Sequence, residues 1–446
     1  MNLNLVTTYY DSDNAKQSKV QDVKFAVDME REDRLINLYP QMKYQTFSGF
    51  GGAITDSAGY IYSLMDEVQK KEMVTSYFTQ KDMQYNTVRI PIDSCDFSLE
   101  HYEADSDPLD VDFTKFSFER VEKYIIPLLE DAERAYGGKL DVVLSPWSPP
   151  SFMKTNGERN NGGKLKPEFR KHWAEYICRT ITEYRNRGYN VTKLTMQNEP
   201  KATQTWDSCV YTAEEMKAFL VDYMQVALEK NGLSDIAIYI WDHNKERAFE
   251  WAETMIDDTT DSMIAGLAFH WYSGDHFEAL QMIKEKFPNK QLMMSEACIE
   301  YSKYEADNFL ENAQKYAHDI IGDFLGGMNT FVDWNLILDE IGGPNHVGNF
   351  CDAPFLFDTK KKELIKRNIA DHIWHFSHFL EVGAVRIGLS RFTDKLEVVA
   401  FEKDSKITFV ILNRTEETLT THIRVSDQCA EITILPLSIS TGVIER

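Results

Sequence analysis

The stretch Lys193-Leu194-Thr195-Met196-Gln197-Asn198-Glu199-Pro200 decides how this chain is read. A short strand-like run ends in an amide and a carboxylate, and polar, loop-like sequence follows. A second stretch has the same layout: Met293-Met294-Ser295-Glu296-Ala297-Cys298. One glutamate at a strand tip is ordinarily a surface or ion-paired residue, because glutamate is mostly exposed. Two such tips in one chain of alternating strands and helices are a different matter.

Working outward, the first stretch is one of eight β-like runs: Phe47–Thr55, Thr87–Ile92, Asp141–Trp147, Lys193–Glu199, Ile236–Trp241, Ile264–Trp271, Gln291–Ala297 and Thr330–Leu336. Amphipathic segments separate them. His172–Arg187 places Trp173, Tyr176, Ile177, Ile181 and Tyr184 at helical spacing, and Glu214–Lys230 does the same with Met216, Phe219, Leu220, Tyr223 and Val226. Gly232 reads as the stop of the second helix. Ile369, Ile373, Phe376 and Leu380 line another. Eight strand–helix alternations predict an α/β fold, a (β/α)8 TIM barrel. A doubly wound open sheet is the main rival, but it wants an early glycine-rich phosphate turn. Gly49-Phe50-Gly51-Gly52 lacks that spacing and reads as a tight strand-end turn.

After Val382 the pattern changes to period two. Leu396–Phe401, Ile407–Leu412, Ile423–Val425 and Ile432–Leu435 read as strands. Val23–Val27 and Leu35–Leu38 are strand-like before the barrel begins. The expected organisation is residues 1–45 as N-terminal strands, 46–381 as the barrel and 382–446 as a C-terminal module. The two ends together make a flanking β-sandwich.

The chain has 446 residues and 43% hydrophobic content, enough for a large core and a smaller module. Its 48 basic and 71 acidic residues leave a net charge of −23, which argues against nucleic acid or an anionic membrane as a partner. The six cysteines have neither a disulfide-framework spacing nor CxxC pairs, and Cys95, Cys178 and Cys298 read as buried thiols suited to a reducing compartment. Met1–Thr8 shows no basic segment followed by an apolar one, so a cytoplasmic location is expected. No run approaches ~20 apolar residues, so membrane insertion is not expected. No HExxH pair, calcium-loop spacing or phosphate motif is present, and neither a metal nor another cofactor is expected.

In such a barrel the site lies at the C-terminal ends of the strands. Reading those ends gives Arg89 and Asp93-Ser94-Cys95-Asp96-Phe97, then Ser145-Pro146-Trp147, Asn198-Glu199, Trp241-Asp242-His243-Asn244, His270-Trp271-Tyr272, Ser295-Glu296 and Asp333-Trp334-Asn335. Carboxylates, amides and tryptophans converge. Sugars offer hydroxyls for the first two and ring faces for the third. Retaining glycoside hydrolysis needs one carboxyl group to donate a proton and one to attack carbon.

These residues carry a family resemblance. From about Phe47 to the C-terminus the chain resembles glycoside hydrolase family 30, of clan A, and most closely its glucosylceramidase branch. The resemblance rests on an ordered set of motifs: Gly49-Phe50-Gly51-Gly52-Ala53-Ile54-Thr55-Asp56, Ser94-Cys95-Asp96-Phe97-Ser98, Ser145-Pro146-Trp147, Lys154-Thr155-Asn156-Gly157, Asn198-Glu199-Pro200, His270-Trp271-Tyr272, Ser295-Glu296-Ala297-Cys298 and Asp333-Trp334-Asn335, followed by Gly342-Gly343-Pro344-Asn345. Asn-Glu-Pro alone is weak, since it recurs across the clan.

The resemblance implies Glu199 as the acid/base and Glu296 as the nucleophile. It implies a substrate pocket of Asp96, Phe97, Trp147, Asn198, Tyr272, Trp334 and Asn349, with Arg89 and His270 supporting the carboxylates. The expected function is a retaining, exo-acting β-glycosidase of the β-glucosidase or glucosylceramidase type. Its partner is a small β-glycoside or oligosaccharide. A β-xylosidase, β-fucosidase or β-1,6-glucanase of the same family stays open, as does a non-catalytic carbohydrate-binding protein. The segment Lys201–Trp206, the loop Gly274-Asp275-His276, and His346 and Gly348 depart from the lysosomal pattern, which has Trp and Arg at the last two positions. The negative charge of Glu296 is expected to raise Glu199, while Arg89 keeps Glu296 ionised.

Overall fold

The computed structural model describes residues 1–446. Eight parallel strands close into a barrel in chain order: Gly49–Ala53, Thr87–Ile92, Asp141–Pro146, Val191–Thr195, Ala237–Asn244, Gly266–His270, Gln291–Glu296 and Thr330–Asn335. The eighth strand pairs back onto the first, with Thr330 beside Gly49 and Phe331 beside Phe50. Each expected run overlaps one of these strands, although the fourth begins earlier, at Val191, and the fifth runs on to Asn244. Their residues are nearly all buried, because helices cover the outer face and packed side chains fill the inside. Val143, Tyr239, Ala268, Met293 and Val332 form one such filling layer within the barrel.

The helix Arg170–Asn186 buries Trp173, Tyr176, Ile177, Ile181 and Tyr184, the stripe that its spacing predicts. The next helical stretch starts at Thr212, whose hydroxyl accepts from the Glu215 N–H while the Glu215 side chain accepts from the Thr212 N–H. It runs on through a π-turn at Leu220–Met224 to Lys230. Gly232, at φ +69°, follows its end.

Gly49-Phe50-Gly51-Gly52 is not a strand-end turn. It is most of the first barrel strand. The glycines serve close packing there: a Cβ on Gly51 would stand 2.3 Å from the Thr87 carbonyl oxygen, and one on Gly52 would stand 2.5 Å from Leu336.

The flanking β-sandwich draws on both ends of the chain. Asn2–Tyr10 pairs antiparallel with Ser438–Glu445, and Leu35–Thr46 lies between Val385–Arg391 and Leu419–Val425. Leu3, Leu5, Ile36 and Leu38 from the front meet Val398, Ile411, Ile423 and Ile444 from the back in one apolar core. The strands Asn2–Tyr10, Val385–Arg391 and Ser438–Glu445 are absent from the sequence reading. Polar or small residues occupy buried positions in them, such as Thr7 and Gly442, which dilutes the apolar signal. Phe47, Phe324 and Phe401 join the sandwich to the barrel through edge-on ring contacts. No helix is long and apolar enough to cross a membrane.

Candidate active site

Glu296 is the last residue of the seventh barrel strand. Glu199 lies beyond the fourth, which stops at Thr195 rather than running on to the glutamate. The chain turns there: Glu199 sits at φ +46°, held by its N–H donating to the Asp242 carbonyl at 2.9 Å. Trp241 and Asp242 on the neighbouring fifth strand also have positive φ, 73° and 60°. Such backbone costs on the order of 1 kcal/mol or more per residue and persists only where its surroundings enforce it. The result is that both glutamate side chains enter the same mouth.

His270 establishes this. Its Nδ1 lies 3.4 Å from Glu199 Oε1 and 4.0 Å from Glu296 Oε1, so a single ring nitrogen faces both carboxylates. His270 Nε2 faces Asp242 Oδ1 at 3.2 Å. His243 Nδ1 approaches Glu199 Oε1 at 3.4 Å from another direction. Neither Nδ1 makes a well-aligned hydrogen bond to the carboxylate it faces. Gln204 Nε2 donates to Glu199 Oε2 at 3.3 Å.

Arg89, fully buried on the second strand, organises the other side. Its Nη1 donates to Glu296 Oε2 at 2.7 Å, its Nη2 to Asn198 Oδ1 at 2.8 Å and Asp242 Oδ2 at 2.9 Å, and its Nε to Ser145 Oγ at 3.0 Å. Asp242 also accepts from Thr195 at 2.6 Å and Ser295 at 2.5 Å. Tyr272 donates its hydroxyl to Glu296 Oε1 at 3.0 Å. With Oδ1 accepting from Arg89, the Asn198 amide keeps its NH2 donors for a sugar hydroxyl.

The expected charge logic is corrected here. Burial pushes Glu199 up, but His243 and His270 outweigh it and hold the carboxyl well below its ordinary range. Burial pulls His270 down, yet the charge of Glu296 and its contacts with Asp242 and Glu199 raise it to about 9. In the free site the proton therefore rests on the imidazole beside Glu199. Burial raises Glu296, with His270 and Arg89 acting against it. Asp242 is buried as well, and Arg89 and His270 keep it ionised.

The remaining expected residues form the wall. Trp147 and Trp334 stack at 5.3 Å, and the Arg89 guanidinium lies over both rings at 4.7 and 5.5 Å. Phe97 packs edge-on against Trp334 at 5.9 Å. Asp96 accepts from Asn349 at 3.2 Å and from Asn345 at 3.3 Å. Burial, with the charge of Glu296 behind it, raises Asp96 to about 8.

Alternation along the strands sends other expected residues away from the mouth. Trp271 donates to the Cys298 carbonyl and packs on Tyr316, and Asp333 accepts from the Tyr316 hydroxyl. The sequence reading did not single out Asn345, Ser145, Thr195, Ser295 or Gln204 as site residues. Asn345 belongs to the quoted Gly-Gly-Pro-Asn motif, and the hydroxyl residues stand just below the strand tips. Glu199, His243 and His270 also bring metal-ligating atoms within 4.8 Å of one another. The attraction between the His270 imidazole and the Glu199 carboxylate accounts for that pairing.

Comparison with known proteins agrees with this geometry. Residues 47–380 match the glycosyl hydrolase family 30 TIM-barrel domain and residues 383–442 the glycosyl hydrolase family 30 beta sandwich domain. The lysosomal acid glucosylceramidase of Mus musculus is 32% identical over 401 residues, 86% of this chain and 78% of the mouse protein. An endo-1,6-beta-D-glucanase of Neurospora crassa is 24% identical over 359 residues, 78% of this chain and 72% of that protein. The crystal structure of SrfJ from Salmonella typhimurium superposes with a TM-score of 0.94 at 36% identity, covering 100% of both chains. The endo-beta1,6-glucanase BT3312 does so with a TM-score of 0.87 at 25% identity, covering 100% of this chain and 99% of that one. A closed eight-stranded barrel with a β-sandwich, two facing glutamates at its mouth and both domain matches place the protein among the enzymes that hydrolyse glycosidic bonds: the chain belongs to glycosyl hydrolase family 30.

Proposed function

We propose that the protein is a retaining β-glycosidase that removes single glucose residues from the ends of β-glucosides. The observation that carries the reading is the convergence of Glu199 and Glu296 on one nitrogen of His270. That shared neighbour brings both carboxyl groups to one mouth, as retention requires, a mechanism that uses a separation of about 5–5.5 Å. Glu296 attacks the anomeric carbon as the glycosidic carbon–oxygen bond breaks. Glu199 gives its proton to the leaving oxygen. Water then loses a proton to Glu199, its oxygen bonds to the anomeric carbon, and the bond to Glu296 breaks.

Glu199 must first take up a proton. His270 holds one 3.4 Å away. A sugar that fills the mouth displaces water and strengthens the burial effect that favours neutral Glu199. Arg89 and Tyr272 hold Glu296 for attack, and Asn198 donates to the sugar as its ring gains charge.

The choice of glucose rests on likeness to the glucosylceramidases. A second reading, cleavage within β-1,6-glucan, is favoured by the full-length likeness to the endo-beta1,6-glucanase BT3312. A panel of aryl β-glycosides, with the first product followed by NMR, tests the proposal. The β-glucoside should be cleaved fastest and β-glucose should appear before α-glucose. Early α-glucose would overturn retention, and a faster xyloside or fucoside would overturn the sugar. Release of oligosaccharides rather than glucose from β-1,6-glucan would favour the second reading.

A further inference from the structure

Three loops at the same end of the barrel bring together His101, Asp207 and His346. They follow the second, fourth and eighth barrel strands. One donor atom from each lies within 4.8 Å of the others. His101 Nδ1 stands 3.1 Å from Asp207 Oδ2, and His346 Nε2 stands 4.0 Å from the same oxygen.

The His346 side chain is only 10% exposed and its Nε2 has no hydrogen-bond partner. Its Nδ1 lies 3.1 Å from the Ser98 carbonyl oxygen, which can only accept. Nδ1 therefore carries the proton and Nε2 the lone pair. A buried lone pair aimed at a carboxylate oxygen is an unfavourable pairing, and a cation between the two resolves it. Asp207 is suited to that part. Its Oδ1 is occupied by Arg159 at 2.6 Å and Ser94 at 2.8 Å, which turns Oδ2 towards the two imidazoles. The charge of Arg159 is offset by Glu103 at 3.3 Å and Asp93 at 3.6 Å as well as by Asp207, so the surroundings still favour a cation.

We propose that His101, Asp207 and His346 form a site for a divalent transition-metal ion of the Zn2+ class, which ties the three rim loops together. Two imidazoles and one carboxylate suit such an ion and leave a fourth position open. Bonds of about 2.0–2.1 Å in a tetrahedron set ligand atoms ~3.3 Å apart. The 3.1 Å edge meets that spacing, the 4.0 Å edge has to close by less than ~1 Å, and the edge between the two imidazoles, no longer than 4.8 Å, by at most ~1.5 Å. The ion would brace the loop that carries Asn345 and Asn349, the two amides on Asp96. No sequence motif announces the site, because each ligand comes from a different loop.

The test uses the full chain, stripped with a chelator and titrated with Co2+ near pH ~7.5, where an unperturbed histidine is neutral. One equivalent should bind with the visible absorption of four- or five-coordinate Co2+, Zn2+ should displace it, and amide exchange over residues 345–349 should slow. His346→Asn and His101→Asn should each weaken binding by ~100-fold or more, since even losing a residue that only orients a ligand costs ~10–100-fold. His243→Asn, which alters the other imidazole cluster, should leave it unchanged. The proposal is overturned if the wild type shows no saturable binding, if exchange over 345–349 is unaffected at saturation, if binding survives both rim variants, or if only His243→Asn removes it. His101, 40% exposed, can be replaced without disturbing the fold, so misfolding of His346→Asn would not hide the answer.

Discussion

Arg89 Nη1 donates to Glu296 Oε2 at 2.7 Å, joining the second barrel strand to the seventh across the barrel interior. The same guanidinium holds Asp242 and Asn198, and no water-exposed surface is left on it. Arg89→Met would strand two buried carboxylates. Loss of one partner from a buried ion cluster costs about 3–5 kcal/mol. Urea unfolding should show a loss of that size, and turnover of an aryl β-glucoside should fall at least ~10²-fold. Arg89→Lys should recover part of the stability but little turnover, because an ammonium cannot reproduce the fork. Unchanged unfolding of Arg89→Met would contradict the hub role.

Glu296→Gln keeps the shape of the side chain and its contacts with Arg89 and Tyr272, but an amide oxygen is a poor nucleophile. Turnover should drop by on the order of 10³-fold or more, with the circular dichroism spectrum unchanged. Turnover close to wild type would sink the assignment of Glu296 as nucleophile.

Glu199→Ala removes the carboxyl group proposed as proton donor and opens a small space at the site mouth. Substrates with good leaving groups need no donor for the first step, so a glycosyl-enzyme should accumulate. Added azide should restore part of the turnover and yield a glycosyl azide of retained configuration. An azide product of inverted configuration, or no acceleration, would speak against the two roles.

Asp333 and Asp96 set the alkaline side of stability. Burial raises both to about 8, above the ~3.9 of an unfolded chain. A carboxyl group raised in the folded state contributes stability that is full below ~pH 3.9 and is lost as pH rises through about 8. Asp242 and Asp207, held low by Arg89 and by Arg159, contribute in the opposite sense, above ~3.9 and lost on acidification. The thermal midpoint should peak in the mildly acidic range and decline towards pH ~8. Asp333→Asn keeps an acceptor for Tyr316, and should flatten that decline without moving the acid limb. An alkaline limb as steep as that of the wild type would rule out Asp333 as its source.

Glu296 was readable as a strand-tip carboxylate because its strand is continuous and apolar up to it. Glu199 was readable as a candidate but not as a strand residue: the left-handed turn that aims it follows from Asp242 on the next strand, which no local pattern reveals. The sign of the Glu199 shift was misjudged for the same reason. Reasoning from Glu296 alone raises Glu199, whereas two imidazoles from the fifth and sixth strands stand 3.4 Å from it and reverse the sign. Gly49–Gly52 was misread as a turn because glycine's backbone freedom is visible in a sequence, while the carbonyl of Thr87 pressing against it is not.

The sequence by itself determined the barrel, the sandwich and the pair of glutamates, because strand and helix periods and strand-tip residues are local properties of the chain. Only the tertiary structure decided which groups face those glutamates and where the proton rests. Charges act through space, and the residues that set them, Arg89, Asp242, His243 and His270, reach one another across the barrel from strands distant in sequence.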